Sequence, residues 1–396
     1  MVTGVNSREK DRAIREDEAI RKWVSYFEAL PKLTLSKKLK IATFFSGIGA
    51  VEQAFHRLKV DFEVTCACDI DKYAKKSYLA NYRIEEGNWH DDILSFLREK
   101  PHVEADILVG GSPCQSFSSV GKRKGLEDDR GNLVFAFIEA IEHIQPKVFV
   151  FENVKGLLTI EKGKVWEKII LPRFESLGYH LKWQVMNAKD FGIPQHRERL
   201  FVVGCKSPKE FQFPKPVPLH LRVPDLLVDN ADEKLYLTKK GVAFVTSEKQ
   251  QKRSSTQVDG RIALCQRANQ QFNWHGDFIS ESFEAVEEKY FLSEAVKAYV
   301  LSGGTKGFYS KPKTDLDVAR PLLATMASMH RAGVDNYFTY GERIRKLSPK
   351  ECLRLMGFSD SFVQVVSNTQ MYKQSGNSMV VDVLMHLFSE LENHLR

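Results

Sequence analysis

Between Lys40 and Gly204 the chain alternates short apolar runs with stretches of helical spacing, and this alternation constrains its fold more than any other feature. KIATFF, FEVTCACD, ADILVGG, KVFVFE, LKWQVMNA and LFVVG read as strands. Strands joined through helices rather than tight turns need crossover connections, so the pattern predicts a parallel sheet with helices on both faces, a doubly wound α/β arrangement. Ala50, Val51, Ala54, Phe55 and Leu58 recur at helical spacing after the first strand and give that crossover an apolar face. The first strand therefore ends in a glycine-containing turn that opens a helix.

At 396 residues the chain is long for one core, and the rhythm fails from about Cys205 to Glu342. Pro208, Pro214, Pro216, Pro218 and Pro224 crowd the entrance to that segment, which reads as a hinge followed by a smaller domain. The expected organisation is a helical extension over 1–39, a catalytic and cofactor-binding unit over 40–205, an inserted unit over 206–342, and a segment 343–396 that returns to the first unit. In the extension, Ile20, Trp23, Val24, Phe27 and Leu30 form an apolar stripe ended by Pro31, which suits packing on the chain's own core or on a partner.

A composition of 43% hydrophobic and 28% charged residues excludes a largely disordered chain. No run approaches the ~20 apolar residues of a membrane span and the N-terminus is charged, so we expect no membrane partner and a cytoplasmic protein, or a nuclear one where the source has a nucleus. The six cysteines (Cys66, Cys68, Cys114, Cys205, Cys265, Cys352) form no C-x-x-C pair and no zinc-like spacing, so neither disulfides nor a metal is expected. A net charge of +7 is compatible with a polyanionic partner without requiring one.

In FFSGIGAVEQAF, Gly47 and Gly49 sit where strand becomes helix, so the backbone can bend and let a ligand approach. A dinucleotide fingerprint would place a third glycine where Glu52 stands, and a carboxylate beside the helix start suits a ligand without phosphates better. At the end of the second strand Asp69 can accept two ribose hydroxyls while Ile70 offers an apolar surface to an adenine. Asp92 and Ile93 follow the third stretch in a similar place, as an acceptor for an adenine amino group and a second apolar wall. Surface acids at strand ends would read the same way.

GGSPCQSFSSVGKRKGLEDDRG follows the strand ADILV and carries Cys114 to the carboxyl edge of the sheet, where open α/β folds bind ligands. Glu152, in FENV, reaches the next strand end, so a thiol and an acid can share one cleft. A thiol with pKa around 8.5 is only a few per cent thiolate near neutral pH, so nearby cations would help it. Gln195-His196-Arg197-Glu198-Arg199 sets two guanidiniums at alternate positions, free to face that cleft or to pair with Glu198.

Taken in order, FSGIG, SPCQSFS, FENVKG, QHRER, RKLSPKECLRLMGFSDSF and YKQSGNSMVVDVL resemble the successive motifs of bacterial DNA cytosine-5 methyltransferases of the restriction-modification type, over about 200 residues on both sides of the irregular segment. The resemblance implies the S-adenosylmethionine-dependent methyltransferase fold with an inserted target-recognition domain, and S-adenosyl-L-methionine as cofactor. In that family a thiolate adds to cytosine carbon 6, the ENV carboxylate holds ring nitrogen 3 and the amino group, and carbon 5 takes the methyl. Carried over, Cys114 is the nucleophile, Glu152 the acid, Arg199 the donor to the ring carbonyl, and Arg197 a support for the loop or backbone. The cofactor set becomes Phe45, Gly47, Gly49, Asp69, Ile70, Asp92, Ile93 and Pro113, with Asn377 and Ser378 closing the pocket. Asp69 stands where Glu is more usual, Ile70 where an aromatic is common, and Met379 where Val is usual.

The resemblance further implies double-stranded DNA as partner, base flipping, a monomer, and a cognate restriction endonuclease in the same system. Ser116 to Arg130, with Ser118 and the basic run Lys122, Arg123 and Lys124, looks like the family's mobile loop over flipped DNA. Sequence choice is expected from the insertion. There QKRSSTQVDGRIALCQRANQQFNWHGDF offers Arg261, Gln266, Arg267 and Gln270, and RPLLATMASMHRAGVDNYF offers Thr325 and Arg331. A transfer-RNA cytosine-5 methyltransferase and a catalytically idle DNA-binding regulator are the rival readings.

Overall fold

The computed structural model describes residues 33–113, 133–227 and 343–396 throughout, and between the last two 237, 241, 244, 247, 256–258, 261–265, 276–281 and 316–322; in the N-terminal segment it describes Arg21 and Ser25. The stripe from Ile20 to Leu30 lies outside the described residues. No helix among the described residues is long and apolar enough to cross a membrane.

Seven strands form one sheet: β1 (Leu39–Phe44), β2 (Phe62–Cys68), β3 (Trp89–His90), β4 (Ile107–Gly110), β5 (Val148–Val154), β6 (His180–Asn187) and β7 (Glu198–Cys205), in the order β3-β2-β1-β4-β5-β7-β6. The first five are parallel, and β7 runs antiparallel to both β5 and β6. Among the described residues five α-helices lie between these strands: α1 (Ala50–Arg57), α2 (Lys72–Asn81), α3 (Ile93–Glu99), α4 (Leu133–Ile144) and the short α5 (Leu171–Glu175). Each strand feeds both faces with period two. Val148, Val150, Phe201 and Val203 join one core, and Phe149, Phe151, Leu200 and Val202 the other. From β1 the chain goes first to one side and then, through β4, to the other, so the edge beyond β1 and β4 is the crevice at which this topology takes ligands.

The C-terminal residues return to this sheet as α6 (Pro349–Leu355), α7 (Asn368–Asn377), α8 (Val381–Ser389) and α9 (Glu392–Leu395). A capping box starts α6: the Ser348 hydroxyl accepts from the Glu351 amide at 3.2 Å while the Ser348 amide donates to the Glu351 carboxylate at 2.6 Å, with Pro349 in the first turn. Helix α8 packs on α1 through stacked Phe55 and Phe388, 4.5 Å apart, and a buried Arg57–Asp382 ion pair at 2.8 Å.

The inserted segment contributes β8 (Thr256–Val258), β9 (Arg261–Cys265), β10 (Gly276–Glu281) and β11 (Leu316–Arg320), and β12 (Arg343–Lys346) joins them, giving the orders β12-β10-β8 and β11-β9. One expectation is corrected here. The proline-crowded entrance is no free hinge, because Phe211, Leu221, Val223 and Leu226 are buried in the sheet's core and Arg354 binds the carbonyls of Leu226 and Leu227 at 3.0 and 2.9 Å. Prolines without amides to satisfy, spaced between apolar side chains, let an extended strap lie on a core. Next to β12, which pairs with β10, Leu347 is buried in the core of the main sheet.

Candidate active site

The acid of the site stands at the end of β5. Glu152 is nearly buried, and its Oε1 lies 3.1 Å from Nε of Arg199. These groups meet because β7 is antiparallel, so its first residues, rather than its last, arrive at the carboxyl edge, with Val154 opposite Arg199. Burial pushes the Glu152 carboxyl above its ordinary range, and the Arg199 and Arg197 guanidiniums pull against that. The result is an acid placed to hold or share a proton in a dry cleft. Glu198 takes no part, since both its oxygens accept from the Lys155 ammonium at 3.0 Å.

The loop leaving β4 begins against this acid. A Cβ on Gly111 would stand 3.0 Å from Glu152 Oε2 and 2.9 Å from the Met379 methyl, so a larger residue there would press on the acid. Asn153, next to the acid, donates from Nδ2 to the carbonyl and hydroxyl of Ser112 at 3.0 and 3.1 Å, which ties the end of β5 to the residue before exposed Pro113. Sequence reading missed Asn153, whose signal was its place in FENV. Cys114, with Ser118, Lys122, Arg123 and Lys124, lies outside the described residues.

Across the crevice is the turn after β1. Phe45 adopts a left-handed backbone (φ 56), and the Gly47 amide donates to Asp69 Oδ2 at 2.7 Å while the Asp71 amide donates to Oδ1 at 2.8 Å. Asp69 is thus oriented by backbone; burial raises its carboxyl and those two amides oppose the rise. Beside it Ile70 is 81% exposed and offers an apolar platform. Gly49 begins α1 at φ 81, and a Cβ there would fall within the Tyr82 ring, so packing as much as ligand approach demands this glycine. Asp92 caps α3, its Oδ2 accepting from the amide and hydroxyl of Ser95, both at 3.0 Å, and Ile93 is buried beneath that helix. A half-buried acid with fixed oxygens, an exposed apolar platform and an open turn fit the adenosine and methionine parts of the expected cofactor.

Asn377 and Ser378 end α7, and Arg197 holds them. Its buried guanidinium donates from Nη2 to the carbonyls of Gly376 (3.1 Å) and Ser378 (2.8 Å) and from Nη1 to that of Leu322 (3.4 Å). Two further ties fasten α7 to α2: Lys373 to Asp71 at 2.7 Å and Ser77 to Gln374 at 2.9 Å. Neither was visible in the sequence, which carries no signal for which helix α7 would meet. Arg261 lies on β9, while Gln266, Arg267, Gln270, Thr325 and Arg331 lie outside the described residues.

The family model for C-5 cytosine-specific DNA methylase matches residues 39–393. The chain is 31% identical over 431 residues to the orphan methyltransferase M.SPRI of Bacillus phage SPR, covering 89% of this chain and 97% of that one. It is 30% identical over 353 residues to the type II methyltransferase M.HhaI of Haemophilus parahaemolyticus, covering 88% and 93%. Among solved structures it is similar to the Entamoeba histolytica methyltransferase EhMeth, with a TM-score of 0.61 and 18% identity over 91% of this chain and 100% of that one, a likeness of fold.

Proposed function

The chain belongs to the C-5 cytosine-specific DNA methylases, and from that premise we propose that it flips a target cytosine out of duplex DNA and methylates ring carbon 5 through a covalent adduct on Cys114. Its methyl donor is S-adenosylmethionine, which supplies an electrophilic methyl when bound. The observation that carries the proposal is the buried Glu152–Arg199 pair at the carboxyl edge, beside the start of the loop that bears Cys114.

In the proposed reaction the Cys114 thiolate adds to carbon 6 while the Glu152 carboxyl, kept protonatable by burial, supports ring nitrogen 3 and the amino group. Arg199 donates to the ring carbonyl, so charge that leaves the carbon framework falls on preorganised donors. Carbon 5, now electron-rich, takes the methyl; loss of its proton and expulsion of Cys114 restore the ring. Arg197 keeps the Gly376–Ser378 turn in place over the cofactor side, with Asp69, Ile70 and the Phe45–Gly49 turn as the opposite wall. The inserted unit selects the duplex sequence, and the protein acts as a monomer that protects DNA beside a cognate restriction endonuclease.

The test is transfer of labelled methyl from S-adenosylmethionine to duplex DNA, single-stranded DNA and transfer RNA, with bisulfite sequencing of the product. Label at carbon 5 within one short duplex motif is expected, and is lost in Cys114→Ser. Label on RNA alone, or full transfer by Cys114→Ser, would overturn the reading.

A further inference from the structure

Glu52 stands in the first turn of α1, directly behind the Phe45–Gly49 turn, and is fully buried. Its Oε1 accepts from the Tyr78 hydroxyl at 2.7 Å and from Thr43 Oγ1 at 3.3 Å, while Oε2 is buried with no hydrogen-bond partner among the described residues. The chain of hydroxyls continues outward: Thr43 Oγ1 lies 2.8 Å from Ser46 Oγ, and Ser46, inside the turn, donates within reach of the carbonyls of Thr43 (3.0 Å) and Cys68 (3.2 Å) and accepts from the Cys68 amide at 3.0 Å. Thus a buried carboxyl is wired through two hydroxyls to the joint between β1, β2 and the cofactor turn.

We infer that Glu52 is a positioning residue for the cofactor: gain or loss of its proton reverses the hydroxyl chain to Ser46 and so changes how well the Phe45–Gly49 turn is set for S-adenosylmethionine. This rests on the reading of that turn as the cofactor's seat. Each hydroxyl has one proton to give. With Glu52 ionised, Thr43 donates to it and must accept from Ser46, which leaves the Cys68 carbonyl without the serine's proton. With Glu52 protonated, its own proton can be given to Thr43, Thr43 donates to Ser46, and Ser46 is released to donate to the strand-end carbonyls. Polarised chains of this kind transmit a single protonation change over several bonds.

The charge balance around Glu52 leaves both states accessible. Burial raises its carboxyl to about 7, against the Tyr78 bond, its own amide and the Thr43 bond. The helix start favours the anion. From α2 the facing groups are Tyr78 and Tyr82, both neutral through the relevant range because burial raises their phenols. Cys66 of β2 acts on Tyr78 and its thiol is raised by burial to about 12, while on α8, which packs on α1, Asp382 is paired with Arg57 and His386 is lowered to about 4 by burial. Asp69 and Asp71 lie on the far side of the turn, with Lys373 on Asp71. Among the described residues no cation acts on Glu52 to hold it ionised.

Calorimetric binding of S-adenosylmethionine and S-adenosylhomocysteine to the full chain between pH 5.5 and 8.5, in buffers of different ionisation enthalpy, tests the inference. The wild type should show a Kd that changes by about threefold or more across neutral pH with proton exchange on binding. Glu52→Gln, which keeps the Oε1 acceptor but cannot ionise, should lose that dependence, while Tyr78→Phe, which removes a bond that favours the anion, should move the midpoint to higher pH. The same slope in Glu52→Gln as in wild type, or an unmoved midpoint in Tyr78→Phe, would overturn the inference while leaving the cofactor's seat intact. No binding by the wild type at any pH would overturn both.

Discussion

Replacing Arg197 with Met isolates what joins the two halves of the site. The guanidinium is buried and donates to two carbonyls of the Gly376–Ser378 turn at 3.1 and 2.8 Å, with a weaker bond to Leu322. Hydrogen bonds from a charged donor contribute about 1.5–3 kcal/mol each, and their loss leaves buried carbonyls unsatisfied. Methionine refills most of the volume, so about 3–5 kcal/mol of unfolding free energy should go in urea denaturation. Cofactor affinity should fall at least about tenfold, because Asn377 and Ser378 lose their anchor; calorimetry reads this directly. The same change removes a cation that lowers the Glu152 carboxyl, so the alkaline limb of the methyl-transfer pH profile, where that acid gives up its proton, should move upward. Arg197→Lys keeps the charge but not the forked contact and should fall between the two. A stability loss under about 1 kcal/mol together with an unchanged Kd would refute the assignment of Arg197 as the brace of that turn.

Ile70→Ala should leave stability within about 0.5 kcal/mol, since the side chain is 81% exposed, yet weaken cofactor binding several-fold; equal affinity would mean the platform is bare for another reason. Gly49→Ala combines a positive φ with a collision against the Tyr82 ring and should cost about 2–4 kcal/mol in urea denaturation; a near-neutral result would refute the packing role. A folded-state carboxyl raised to about 7 contributes stability that is complete below its unfolded pKa near 4.5 and is lost as pH rises to 7, so Glu52→Gln should gain on the wild type by roughly 3 kcal/mol between pH 4.5 and 8. Parallel stability curves for the two proteins would show that burial does not raise the Glu52 carboxyl.

The strand and helix alternation made the sheet legible, because residues such as Val148 to Phe151 are buried on both faces and read as continuous apolar runs. The direction of β7 was not legible: LFVVG is equally apolar in either sense, and only its antiparallel pairing brings Arg199 rather than Cys205 to Glu152. Asp69, Ile70 and Glu152 could be placed by sequence because Asp69 and Ile70 directly follow β2 and Glu152 lies in the last three residues of β5. Asp92 shows the limit of that logic, since a strand-end acid is also a helix N-cap and here one oxygen serves the Ser95 amide and hydroxyl. The proline-crowded strap misled because prolines signal an irregular path but say nothing of whether the path is packed.

How the inserted unit meets the sheet explains why its register was the least readable part. The amides of Ala263 in β9 and Ala319 in β11 both donate to the Pro194 carbonyl, the His196 amide donates to the Ala319 carbonyl, and Gln195 bridges to both strands. The Gln195 side chain completes the joint, donating to the Leu355 carbonyl at 2.8 Å and accepting from the Leu322 amide at 2.9 Å. Apart from Gln195 and the Met356 sulfur that also accepts from it at 3.4 Å, the groups named in this joint are backbone, and backbone places little demand on which side chains β9 and β11 carry beyond small ones at the crossing. Such a joint leaves the side chains of β9 and β11 largely free to vary while Arg197 and Arg199, two and four positions past Gln195, stay in register with Glu152. A cluster fixed by side chains at set positions is legible as a local motif, and a joint made largely of backbone is not.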